Sequence, residues 1–198
     1  MTPRELIASV AVAAYAACSF AQTMDASSFD YSSAVAEAVT SGSSDRRNEL
    51  RACIRNWKSY RDARRAFAEA IKSSDASRAD KLVVIEIGNS TFPRFESVLL
   101  SDSAMYPYRS GKAIPAIDIR DSSLSKLIAT LSENNVSAMR GEAYSQIDDG
   151  NCYFVTVRVD STLKHVAIYG KPSSRTLEGR LVSQILQKLA SAERRGKK

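Results

Sequence analysis

The sequence is poor in the residues that most often carry chemistry. In 198 residues it has one histidine, His165, one tryptophan, and three cysteines at 18, 53 and 152. A single histidine excludes a histidine-rich metal centre, and cysteines this far apart lack zinc-site spacing. There is no G-x-S-x-G elbow and no G-x-G-x-x-G loop. "SGKA" at 110–113 has neither the upstream glycine nor the Ser/Thr of a phosphate loop. These gaps leave no metal, no cofactor and no catalytic residue to assign.

Long apolar runs are scarce as well. "LIASVAVAAYAACSFAQ" at 6–22 falls short of the roughly 20 apolar residues that a membrane-spanning helix needs. Arg4 precedes it, and Ser19-Phe20-Ala21 puts small residues at the −3 and −1 positions before Gln22. That layout predicts a signal peptide over 1–21, cleaved after Ala21, and an exported protein, periplasmic or secreted. An uncleaved anchor and lipidation at Cys18 in "YAAC" are the alternatives, and only they would bring a membrane in as partner. Loss of Cys18 leaves Cys53 and Cys152. In an oxidising compartment such a pair suits a disulfide, while two separate buried thiols are the other reading. Spacing does not choose between them, because a bridge needs Cα atoms within about 7 Å.

Positive charge is in excess. Lys plus Arg number 28 against 22 acids, a net charge of +6, which favours acidic partners. Residues 22–44 are Ser- and Ala-rich and read as a linker, with a short helix at "YSSAVAEAV" as a variant of that reading. From 45 to about 76 the spacing predicts one basic amphipathic helix. Leu50, Cys53, Ile54, Trp57, Tyr60, Phe67 and Ile71 share its apolar face. Around them stand nine cations (46, 47, 51, 55, 58, 61, 64, 65, 72) against Glu49, Asp62 and Glu69. Arg47, Arg51, Arg55, Lys58 and Arg65 form the candidate basic surface. Such a helix suits anionic membrane or nucleic acid, or is simply a solvated face.

The period then changes to two. "KLVVIEIGN", "FESVLL" and "AMYPYR" read as strands, the third placed near an edge by Pro107. "SLSKLIATLSENN" reads as a helix capped by Ser122 or Ser123. "CYFVTVRVD" and "KHVAIYG" read as a hairpin around the loop "DSTL". Its expected register pairs Val157 with Val166 and Val155 with Ile168 on one face, and Phe154 with Tyr169 and Arg158 with His165 on the other. A helix over about 174–193 and a charged tail at 194–198 close the chain. Gly179 interrupts that helix at a cost of about 1 kcal/mol. The order β-β-β-α-β-β-α over 81–193 predicts an α+β fold, an antiparallel sheet of about five strands with helices packed against it, preceded by the basic helix.

"IEIGNSTFPRF", "VLLSDSAMYPYRSG" and "CYFVTVRVDSTLKHVAIYGKPSSRTLEGRL" carry a resemblance over about 82–190. The F-P-R-F approach to the second strand, the Asp turn before a Tyr-bearing strand and the V-x-I-Y-G plus Pro lead-in to the last helix resemble a family of small exported bacterial domains of unknown function. The resemblance implies an exported α+β domain and brings no catalytic residues.

Three functional readings follow. The first is an exported non-catalytic binding module, of inhibitor or immunity type, whose partner is an acidic protein or envelope component. The second is a hydrolase-type enzyme in which His165, held neutral by Arg158, works with Tyr169 on a sheet face that also carries Phe154. If the basic helix covers that face, Cys53 approaches Cys152 instead. The third is nucleic-acid or anionic-membrane binding through 45–74, which export makes less useful.

Overall fold

The computed structural model describes residues 31–40, 44–74, 79–91, 95–143 and 150–195, without the side chains of 44–46. The expected signal peptide, Cys18 and residues 22–30 lie outside these. The described chain runs α1 (Ser32–Thr40), α2 (Ser44–Ser59), α3 (Arg61–Ser73), β1 (Lys81–Asn89), β2 (Glu96–Leu100), β3 (Ala104–Arg109), β4 (Lys112–Ala113), β5 (Ile117–Asp118), α4 (Ser123–Ala129), α5 (Glu133–Ser137), β6 (Glu142–Ala143), β7 (Asn151–Val159), β8 (Thr162–Tyr169) and α6 (Leu177–Arg195). The class is α+β. The sheet has eight strands rather than five, in the order β4-β3-β2-β1-β7-β8-β6, with β5 also on β3. It is mixed, because the two-residue β6 lies parallel to β8.

β1 is the central strand, paired antiparallel to β2 and β7. Its nearly unbroken apolar run reflects burial on both faces. Val83, Ile85 and Ile87 face one core with Val155, Val157, Val166 and Ile168, under α4, α5 and α6. Leu82 and Val84 face a second core with Phe154, Ala167 and Tyr169, under α1, α2 and α3. Helices therefore cover both faces, and residues 31–40, expected within a linker, pack on the sheet through Tyr31, Ala34 and Ala38.

Several local expectations are corrected. The basic helix is two helices, broken at Tyr60, whose ring stacks on Phe95 while Phe67, Ala68 and Ile71 of α3 turn onto the sheet. The 123–135 helix ends at Ala129 and restarts from Ser132, which forms a capping box with Asn135. The hairpin turn is two residues, with Asp160 at φ 49°, and the register pairs Val155 with Val166 and Thr156 with His165. This is two residues away from the expected alignment, so every side chain keeps its predicted face while every partner changes. The last helix runs on through Arg195, into the expected tail. Gly179 is a requirement rather than a flaw: a Cβ there would stand 2.0 Å from the Ser173 carbonyl oxygen.

Candidate functional site

The sheet face expected to display Arg158, His165 and Tyr169 is covered. Arg158 lies opposite Leu163, not His165. Its Nη2 donates to the Ala79 carbonyl, and burial lowers the guanidinium from its usual range. Phe154 is fully buried, with its ring stacked 4.3 Å from that of Trp57. Tyr169 is fully buried too, and its hydroxyl donates to Glu49 on α2. Burial, and then the Glu49 carboxylate, push the Tyr169 phenol up to about 12. The predicted trio is therefore not assembled as a site. Arg158 and His165 are each half-buried, and His165 opens on a recess shared with Ser33, Glu37 and Lys164.

A buried polar cluster stands where the open face was expected. Tyr31, at the start of α1, is 2.7 Å from Thr156 Oγ1, which is 2.8 Å from His165 Nδ1. Tyr31 packs edge-on to Trp57 and against Phe154. Arg64 of α3 lays its guanidinium 3.7 Å from the Trp57 ring centre, and its Nε donates to Glu86 Oε1 at 3.1 Å. Glu86 is 2 % exposed. Burial raises its carboxyl, and the Arg64 charge opposes that rise. Glu86 Oε2 and Trp57 Nε1 lack a hydrogen bond of ordinary geometry, yet the indole and the Tyr31 hydroxyl both help to hold the carboxylate charge. Every member sits at an interface between helix and sheet. The cluster fixes α1, α2 and α3 in place against the sheet.

The disulfide lies in the same layer. Cys53 of α2 is bonded to Cys152 of β7 across a Cα separation of 6.3 Å. The apolar stripe of α2 carries Cys53 toward the sheet, and the alternation of β7 presents Cys152 on the matching face. Asn56 adds two hydrogen bonds, to the Asn89 and Ser90 carbonyls.

The opposite side of α2 is the strongest surface feature. Arg47, Arg51, Arg55 and Lys58 are all exposed, at spacings of four, four and three residues. On a helix they fall within one narrow stripe about 16 Å long. Leu50, Cys53 and Trp57 occupy the buried side. Arg65 is exposed on α3, on the neighbouring surface. Among the described residues no carboxylate forms an ion pair with these five; Arg51 reaches only the Asn48 amide.

Sequence reasoning missed two carboxylates, Glu142 on β6 and Glu178 in the first turn of α6, which line one cleft. No motif joins residues so far apart, and the two-residue β6 gives no periodic signal. Among the described residues no group of three or more metal-ligating side chains gathers, and no helix is long and apolar enough to cross a membrane. No family model, curated protein or solved structure matches the chain.

Proposed function

We propose that the protein is an exported, non-catalytic binding module that docks an acidic protein or envelope component through the outward face of α2. The observation that carries this reading is the stripe of Arg47, Arg51, Arg55 and Lys58, exposed and without acidic partners among the described residues. Unpaired cations on one rigid face create a positive field that steers acidic partners and fixes their register. The disulfide supports an oxidising compartment and hence export, since such bonds persist outside the reducing cytosol. It also holds the stripe fixed against the sheet, which lowers the ordering cost of docking.

The test compares the wild type with a variant carrying Glu at 47, 51, 55 and 58. Binding to immobilised poly-glutamate, to duplex DNA and to vesicles of anionic lipid is measured from 50 to 300 mM salt. The proposal expects salt-sensitive binding to the acidic polypeptide that the variant loses by at least tenfold. Equal binding by both proteins would sink it. Tighter binding to DNA or vesicles than to polypeptide would move the reading to the nucleic-acid or membrane alternative.

A further inference from the structure

The cleft between β6 and the start of α6 lies apart from the cationic stripe and belongs to the other helical layer. It is an open cleft of about 350 Å³, within the range of small-ligand sites. Its two acids come from distant parts of the chain. Glu142 stands on β6, held parallel to β8 beside Ile168. Glu178 is placed by the first turn of α6, where the Thr176 hydroxyl accepts the Gly179 N–H and the missing Cβ of Gly179 lets Ser173 press close.

Glu178 is only 3 % exposed, yet among the described residues nothing donates a hydrogen bond to its carboxylate. Glu142 Oε2 is likewise buried without a partner. Burial, and then the nearby Glu178 charge, raise the Glu142 carboxyl. A buried carboxylate oxygen without a partner is costly, and a second carboxylate beside it adds to the cost. The arginines at the cleft do not relieve them: Arg140 is committed to Glu37 at 3.1 Å, and Arg180 lies at the exposed rim. Beside Thr130, Asn135 and Thr176, the wall has an apolar part in Met139, which is buried, and Leu177, which is half-buried. Two carboxylates are too few to replace the oxygen shell of a calcium ion. They suit an ammonium, whose N–H donors can serve both, and the apolar wall suits an alkyl stem.

We infer that this cleft binds a primary alkylamine, with its ammonium against Glu142 and Glu178 and its methylene stem along Met139 and Leu177. The amine is that of a free diamine or of a lysine side chain. This inference does not depend on the function proposed for α2.

Calorimetric titration of the oxidised full chain at pH 7 tests it, with 1,4-diaminobutane, Nα-acetyl-lysine methylamide and calcium chloride as probes. Saturable binding of either amine, at least tenfold weaker in both Glu178→Gln and Glu142→Gln, is the expected result. A preference for the first amine assigns a free diamine, and a preference for the second a lysine side chain. Glu178→Gln relieves the repulsion between two neighbouring carboxylates, so its melting temperature without ligand should equal or exceed that of the wild type. If it does not fold, Glu142→Gln, at a half-buried position, decides alone. No saturable amine binding, binding unchanged by the variants, or calcium binding more tightly at the same carboxylates would overturn the inference.

Discussion

The two faces of the sheet are held by different physics. Under α4, α5 and α6 the contacts are almost wholly aliphatic, with Val83, Ile85, Val155, Val157, Leu181, Val182 and Ile185 in one buried cluster. Under α1, α2 and α3 the layer is aromatic and polar. It contains a disulfide, an ion pair, an arginine over an indole and a chain of three hydrogen-bonding side chains. The difference follows from the helices themselves. α6 has a long apolar stripe and docks by burial alone. α2 is strongly hydrophilic and has few residues to bury, so non-directional burial would hold it weakly. Directed contacts and one covalent bond hold it instead, and they leave its cationic side facing outward in a fixed position.

The disulfide should give the largest effect that separates the two layers. It closes a loop with a sequence separation of 99, so its loss frees much unfolded-chain entropy. A Cys53→Ser/Cys152→Ser variant should lose about 4 kcal/mol by urea unfolding. Hydrogen exchange should then accelerate over 44–73 while the Val155 and Val157 amides stay protected. Uniform acceleration through both layers would show that the sheet and all its helices open as one unit.

The next largest effect comes from the ion pair. Arg64→Met leaves Glu86 buried without its counter-charge. The cost should be about 3 kcal/mol near neutral pH, the low end for breaking a buried pair because Arg64 is 23 % exposed. The pH dependence follows from the direction of the shift. The folded Glu86 carboxyl lies above its ordinary value of 4.5, so the folded state takes up its proton more readily than the unfolded chain does. The resulting stabilisation is present below 4.5 and is lost as pH rises through the folded value. Without Arg64 that value climbs further, so the deficit of the variant should shrink steadily on acidification. A deficit that stays constant from pH 7 to 4 would show that Arg64 acts through packing on Trp57 alone.

The aliphatic layer was readable in the sequence and the polar one was not. Alternation in "KLVVIEIGN" and "CYFVTVRVD" placed Val83, Ile85, Val155 and Val157 on one face, because period two is a property of the strand itself. The hairpin register lies two residues from the expected one because apolar matching is equally satisfied by alignments two apart. The sequence also left Thr156, Arg158 and His165 looking like a solvated face. Their partners, Tyr31, Ala79 and the helices that cover them, lie far away in the chain, and no local pattern encodes that docking. Cys53 and Cys152 were both visible, but bridging depends on a distance that only the fold sets. Glu142 and Glu178 gave no signal at all, for the same reason.

The smallest effect tests how far the polar layer depends on single hydrogen bonds. Tyr169 donates to Glu49 from a buried ring, and Glu49 sits at the half-exposed margin of α2. In Tyr169→Phe the carboxylate can regain water, so the loss should be only about 1 kcal/mol, with the disulfide and the sheet intact. The pH behaviour of the wild type supplies the control. The phenol is raised from 10.0 to about 12 on folding, so its contribution is full below 10 and disappears as pH rises through 12. The wild type and Tyr169→Phe should therefore converge in stability between those limits. In an ultraviolet titration at pH 11 the variant should lack one tyrosine that stays un-ionised in the wild type. Were the curves to stay parallel, the ring rather than the hydroxyl would hold α2, and the contrast between the two faces would narrow to the disulfide and the ion pair.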